Sequence, residues 1–308
     1  MISLQQINYI LTLVETKHFQ RASELCFVTQ PTLSMQLKKA EEDLGYKIFD
    51  RDTKELSLTS FGEKLIPILR DVNYETLKIQ KLVDEMKGSF KEVVRIGLIP
   101  TISTYLIPDL FSEWKKMFSG IQIIIKELKS QDLVIALENK QVDLGIMAGP
   151  YVANSIRTIP LFTEEIKAYI NTDKEDFVFT TMLTESHPWL LSQGNCLRTQ
   201  MVHFCDLKKN NADEWDYEGG SLDVLLEMVN QNGGYTLIPK EYEKRIRFNQ
   251  HFIKRIYSPD KNDVPARQVI AMTPERNSKW DLVEKIVRSI QLYYGNQEDV
   301  NYQVLSWE

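Results

Sequence analysis

The chain has 308 residues, a formal net charge of −6 and three cysteines, Cys26, Cys196 and Cys205. That length supports two or three domains with their own cores, and three cysteines cannot all pair, so in a reducing cytosol an oxidised pair would be an event with meaning. No run approaches the roughly 18 apolar residues of a membrane helix, and Met1 to Asn8 lack the features of a signal peptide. A cytoplasmic protein without a membrane partner is therefore expected. The acidic balance offers nucleic acid no overall attraction, so local pattern must decide that question.

Leu4, Ile7, Ile10, Leu11 and Val14 recur at helical spacing, and Phe19, Ala22, Leu25 and Cys26 begin a second short amphipathic segment. A third helix is predicted where Thr29 can cap, Pro31 fits the first turn and Gly45 ends the run. Leu33, Leu37, Ala40 and Leu44 form its packing stripe, which leaves Thr32, Met35, Lys38 and Lys39 opposite, with Ser34 at the edge. Short polar groups near a helix start, followed by cations, suit a helix in a DNA major groove: the first side chains reach base edges and the cations hold phosphates. Arg51 and Lys54 precede Leu56-Ser57-Leu58, a candidate wing strand. The plainer alternative for the third helix alone is a solvated charged face; three helices and a wing within about 60 residues favour DNA. Residues 1–58 carry seven cations against eight acids, so non-specific binding should be weak and several copies should share one site.

The stretch Arg21-Ala22 to Leu25, then Thr29-Gln30-Pro31-Thr32-Leu33-Ser34, Asp43-Leu44-Gly45, Ile48-Phe49 and Leu58-Thr59 to Gly62 resembles the winged helix-turn-helix of LysR-type transcriptional regulators. The resemblance implies that Thr29, Gln30, Pro31, Thr32, Ser34 and Lys38 meet a double-stranded operator, with Met35 tuning site preference and Arg51 touching backbone from the wing. It also implies a homodimer or homotetramer that engages RNA polymerase.

From Phe61 to Met86 the positions Phe61, Leu65, Ile68, Val72, Ile79, Leu82 and Met86 keep a heptad rhythm broken at Glu75. A helix packed on its own protein would show nearly the same pattern. The family resemblance implies pairing between subunits, and Pro67 is expected to kink or weaken one turn. Gly88-Ser89 reads as a hinge.

Beyond it, strands at 93–98, 121–125 and 144–147 alternate with helices at 105–118 and 131–140, which predicts a parallel α/β unit. A second unit follows a crossover near Ile156 to Ile170, with a strand near Trp189 to Leu191, a helix from Ser221 to Asn230 and a strand at Tyr235 to Ile238. Two such subdomains leave a cleft at the C-terminal ends of their strands. The expected class is α/β, a winged helix-turn-helix (1–58), a dimerising linker helix (59–88) and a regulatory domain like the periplasmic binding proteins. Its subdomain I comprises 89–162 and 269–295, subdomain II is 163–268, and 296–308 is a polar tail with no further reading.

Cys196 and Cys205 are nine residues apart. In one helix they would be separated by about 13 Å and point to opposite faces, whereas a disulfide tolerates a Cα separation of about 7 Å. Pairing therefore requires the segment to change shape, and Asp206 to Gly220, polar and poorly anchored, is the natural part to move. Cys196 follows Gly194-Asn195 and opens a candidate helix whose N–H groups favour a thiolate, with Arg198 as added positive charge. Thr101 in the loop after the first strand and Ser130 after the second supply hydroxyls able to hold and protonate a small ligand.

Gly97-Leu98-Ile99-Pro100-Thr101, Gly194-Asn195-Cys196-Leu197-Arg198, Phe204-Cys205 and Gly234 to Pro239 resemble the peroxide-sensing branch of the family, the OxyR regulators. By resemblance Cys196 is peroxidatic and Cys205 resolving, Thr101, Ser130, Asn195, Arg198 and Arg267 line a pocket for hydrogen peroxide, and a Cys196–Cys205 disulfide switches oxidative-stress genes. The chain departs from that branch at Asn195, where histidine is common; an amide supplies no positive charge. Two other readings stay open: a regulator whose cleft takes an organic effector, and a thiol peroxidase, which is disfavoured because an enzyme has no use for the DNA module. Cys196, His203 and Cys205 do not match structural zinc spacing, so neither metal nor cofactor is expected. Cys26 and the aromatics Trp114, Trp189 and Trp215 read as core or interface residues, while the sequence pattern alone points to no partner for His18, His187 or His251.

Overall fold

The computed structural model describes residues 1–50, 56–86, 92–153, 155–172, 176–205, 219–257, 264–295 and 302–305. Arg51, Lys54, Gly88-Ser89, Trp215 and nearly all of Asp206 to Gly220 lie outside them. Two compact units result, Met1–Phe90 and Lys91–Glu308.

The first unit packs α1 (Leu4–Thr16), α2 (Phe19–Leu25) and α3 (Gln30–Leu44), a two-residue hairpin of β1 (Phe49–Asp50) and β2 (Ser57–Leu58), and α4 (Ser60–Met86). Their core holds Ile10, Leu13, Ala22, Leu33, Leu37 and Ile48, with Cys26 packed at its edge. His18 has a partner after all: it caps α2, its ring nitrogen accepting from the Arg21 amide at 3.4 Å. Helix α4 runs through Pro67 without interruption. Its first turns belong to this core, where Leu65, Ile66 and Leu69 are buried. The proposed seam is therefore shorter than the heptad pattern implied. What remains exposed is Ile68 (60%), Val72 (37%), Ile79 (66%), Leu82 (59%) and Met86 (83%).

In the second unit the sheet follows the order β4-β3-β5-β10-β6-β9-β7, with β8 on β6 and β11 on β10. Strands β3 (Val93–Leu98), β4 (Gln122–Glu127) and β5 (Leu144–Gly149) are parallel, joined by α5 (Pro100–Met117) and α6 (Ser130–Glu138). The sheet is mixed and not purely parallel, because β6 (Ile156–Ile170) and β10 (Val264–Pro274) pair antiparallel along their length and tie the two halves together. Each carries one end in each half, so both subdomain boundaries drawn at 162/163 and 268/269 fall inside a continuous strand. The second half adds β7 (Phe177–Phe179), α7 (Thr180–Thr184), α8 (Cys196–Phe204), α9 (Leu222–Asn232), β8 (Tyr235–Pro239) and β9 (Ile253–Tyr257). No strand forms near Trp189 to Leu191; only a single bridge joins Pro188 to Tyr235. α10 (Trp280–Tyr294) returns to cover the first half, where Trp114 donates to Ser289 Oγ at 2.8 Å.

The tail is more than a polar end. Tyr302–Val304 forms β11, parallel to Val264–Ala266, and the buried Leu305 donates its amide to the Ala266 carbonyl at 2.8 Å.

Candidate functional site

The DNA-facing candidates are arranged by the caps of α3. Thr29 Oγ1 accepts from the Thr32 amide at 3.4 Å, Pro31 occupies the first turn and Gly45 closes the helix at φ 74°. Thr29, Gln30, Pro31, Met35 and Lys38 are exposed, and Thr32 and Ser34 half-exposed, while Leu33, Leu37 and Ala40 face the core. Lys38 lies 3.8 Å from Glu42, one turn on.

The second constellation gathers on the two crossing strands. Arg267 of β10 is fully buried and sits in register with Glu164 of β6. Its Nε donates to Glu164 Oε1 at 2.7 Å, its Nη1 to Thr101 Oγ1 at 2.9 Å and its Nη2 to the Thr101 carbonyl at 3.2 Å. The Tyr105 hydroxyl donates to the same Glu164 oxygen at 2.7 Å. Burial pushes the Glu164 carboxyl up, against the pull of Arg267, and burial with the Glu164 charge pushes the Tyr105 phenol well up. Burial alone would lower Arg267, but Glu164, Tyr105 and Cys196 together hold it above its ordinary value.

Cys196 is the first residue of α8 and Cys205 its C-cap; both are buried and unpaired. Helix α8 spans the distance between them without a break. Cys196 packs in the core of the first half and Cys205 in that of the second. Burial pushes the Cys205 thiol up to about 11, opposed by the Tyr235 hydroxyl, which lies against it without completing a hydrogen bond of ordinary geometry. Asn195 is buried and turned away from the helix it precedes: its Nδ2 donates to the Ser192 carbonyl at 2.8 Å and to Ser192 Oγ at 3.1 Å. The Arg198 guanidinium donates to the Leu191 carbonyl at 2.7 Å.

Ser130 opens α6, and its amide donates to the Gly194 carbonyl at 3.2 Å, which fastens the loop before Cys196 to the first half. Its buried Oγ has no hydrogen-bond partner among the described residues, an arrangement that proteins keep for a water or a ligand. Thr101 sits in the first turn of α5 and not in a loop, because Pro100 starts that helix five residues before the expected Tyr105. Glu164 and Tyr105 were not singled out in the sequence. Their signal is the pair Glu164-Glu165 inside an apolar strand, both buried, each aimed at its own arginine; Glu165 takes Arg255 at 2.8 and 2.9 Å. His203 is exposed, and no cluster able to hold a metal exists among the described residues.

The model of the bacterial regulatory helix-turn-helix protein, lysR family, matches residues 4–63, and that of the LysR substrate binding domain matches residues 87–288. The chain belongs to the LysR family. It is therefore a DNA-binding transcriptional regulator and not an enzyme. The regulator is 28% identical to the HTH-type transcriptional regulator EstR of Acinetobacter baylyi over 94% of this chain and 97% of that one. It is 26% identical to the hydrogen peroxide-inducible genes activator of Dickeya chrysanthemi, over 95% and 97% respectively. Among solved structures, full-length OxyR from Pseudomonas aeruginosa, a variant, superposes with a TM-score of 0.72 at 26% identity, covering 95% of each chain. Among the described residues, no helix is long and apolar enough to cross a membrane.

Proposed function

We propose that this regulator responds to hydrogen peroxide through Cys196 and Cys205 and that the structure corresponds to its reduced form. The observation that carries the reading is a buried free thiol at the start of α8, with a second buried thiol closing the same helix. The Cys196 thiolate attacks one peroxide oxygen, so an S–O bond forms as the O–O bond breaks, and the departing hydroxide takes a proton to become water. Thr101, Ser130 and Arg267 are the groups that hold the peroxide, and Asn195 shapes the loop behind the thiol. The Cys205 sulfur then displaces water from the sulfenic acid, which forms the disulfide. Since α8 separates the thiols by about 13 Å, the second step requires that helix to unwind and expose a different surface.

At the other end of the chain, α3 enters an operator groove through Thr29, Gln30, Pro31, Thr32, Ser34, Met35 and Lys38, with Arg51 on the backbone. The apolar stripe of α4 supports pairing with a second copy, in an assembly of two or four that works with RNA polymerase in the cytoplasm. Resemblance to the peroxide-inducible activators over nearly the whole length supports the redox reading. The alternative reading is an organic effector in the cleft with incidental cysteines.

The deciding experiment exposes reduced protein briefly to near-stoichiometric hydrogen peroxide, alkylates free thiols and maps the products by mass spectrometry. A Cys196–Cys205 disulfide, absent in Cys196→Ser, is expected. Two free thiols would sink the redox reading and favour the effector.

A further inference from the structure

Tyr302 to Leu305 tie β10 to α8. Strand β10 has two edges: β6 runs along one from Ala266 to Pro274, and β5 covers the other from Gln268 to Met272. Where β5 stops, β11 takes over, with Tyr302, Gln303 and Val304 in parallel register against Val264, Pro265 and Ala266. An uncovered edge is a row of unpaired backbone groups, so this short strand closes a gap in the sheet. Leu305, itself buried, donates its amide to the Ala266 carbonyl at 2.8 Å. Its own carbonyl accepts from Gln200 Nε2 at 3.1 Å, and Gln200 is a fully buried residue, the fifth of the nine in α8. Gln200 Oε1 has no hydrogen-bond partner among the described residues, so the bond to Leu305 is what offsets the burial of this amide. The tail lies beyond residues 87–288, the stretch matched to the LysR substrate binding domain.

We propose, on the basis of the redox reading above, that the tail is a strap that holds α8 helical and is released when the disulfide forms. The loop before Cys196 is fastened to the first half by the Ser130 amide on the Gly194 carbonyl at 3.2 Å and by Lys129 Nζ on the Gln193 carbonyl at 3.3 Å. The Cys205 end therefore travels. A disulfide needs the two Cα atoms within about 7 Å, against about 13 Å along an intact helix, so the turns around Gln200 come apart and its amide leaves Leu305. Strap and disulfide exclude each other, and by linkage each opposes the other to the same extent. A seated tail raises the oxidant level at which the pair closes, and a closed pair loosens β11 and bares the β10 edge at Val264 to Ala266.

The test equilibrates the full-length protein, without peroxide, in buffers of reduced and oxidised glutathione. The Cys196 sulfur attacks the glutathione disulfide and releases one reduced glutathione, and the Cys205 sulfur displaces the second; two protein thiols are oxidised, one glutathione disulfide is reduced, and the thiol protons pass to the departing glutathiones. Alkylation and mass spectrometry give the fraction paired. Deleting residues 296–308 should raise the equilibrium constant for the Cys196–Cys205 disulfide by about 5- to 150-fold, the usual size of such a coupling. Leu305→Pro keeps the chain length but removes the amide bonded to Ala266; it should move the constant the same way, and it decides alone if the truncated chain does not fold. Ile286→Val loosens the first-half core from α10, which takes no part in the strap, and should leave the constant unchanged. Hydrogen exchange at 302–305 should be faster in the disulfide form than in the reduced protein. An unaltered constant in the tail variants, an equal shift in Ile286→Val, or equal exchange in the two forms overturns the strap. A disulfide that forms with glutathione and not with peroxide would end the redox reading and leave the strap standing, whereas no disulfide with either oxidant would end both.

Discussion

Cys205 shows what burial does to a single group. Its thiol titrates at about 11 in the fold against an ordinary value of 9.0, because burial penalises the thiolate more than the Tyr235 hydroxyl favours it. A folded value raised above the unfolded one means that folding favours the protonated thiol. The resulting stability is complete below pH 9 and is lost as pH rises through 11, up to about 2–3 kcal/mol. Urea midpoints of the reduced protein and of Cys205→Ala should therefore converge or cross over that window, and parallel curves would show an ordinary titration. At neutral pH the protonated, buried Cys205 is a poor nucleophile, so the proposed cycle predicts a delay between reaction at Cys196 and disulfide closure. The two cysteines were legible from spacing and neighbours. Arg267 and its partner Glu164 are 103 residues apart in the chain, and only the pairing of β6 with β10 brings them together.

Among the elements, α8 and β11 depend on each other. Gln200, midway along α8 and fully buried, donates to the carbonyl of Leu305, which in turn bonds to Ala266, the neighbour of Arg267. The tail thus joins the helix that carries both thiols to the strand that carries the arginine. Deleting residues 296–308 should leave the Gln200 amide without its partner, cost about 1–3 kcal/mol and speed amide exchange along α8. Unchanged protection of 196–204 in the truncated protein would mean that the tail only rests there. Nothing in the composition of the tail announced a strand, because three residues of edge pairing leave no periodicity to detect. Thr101 was misplaced for a related reason: Pro100 reads as a breaker, yet at a first helical turn its missing N–H costs nothing.

For the whole molecule, the regulator's α4 presents Ile68, Val72, Ile79, Leu82 and Met86 to solvent on one side of a long helix, more apolar surface than an isolated chain usually leaves uncovered. Ile79→Asp with Leu82→Asp should convert a dimer to monomer, weakening self-association by about a hundredfold or more, since each buried aliphatic side chain contributes about 1.5–3 kcal/mol. Light scattering across a dilution series reads the change, and an unaltered mass would place the dimer contact elsewhere. Operator affinity should fall with it, as the proposed seating of two nearly neutral DNA modules on one site predicts.

What the sequence determined by itself is the set of local devices: the cap, proline and glycine of α3, the apolar stripe that seats it, the heptad rhythm of α4 and two thiols nine residues apart. These depend on neighbours within a few turns, where propensity and periodicity act directly. Tertiary structure alone decided which apolar residues of α4 are core and which remain bare, that the sheet is mixed, that Arg198 turns to Leu191 while Arg267 turns to Thr101, and that the tail returns to hold α8. Each of these is a pairing between residues distant in the chain, and what selects it is whether a buried donor, charge or apolar face finds its partner once water is excluded.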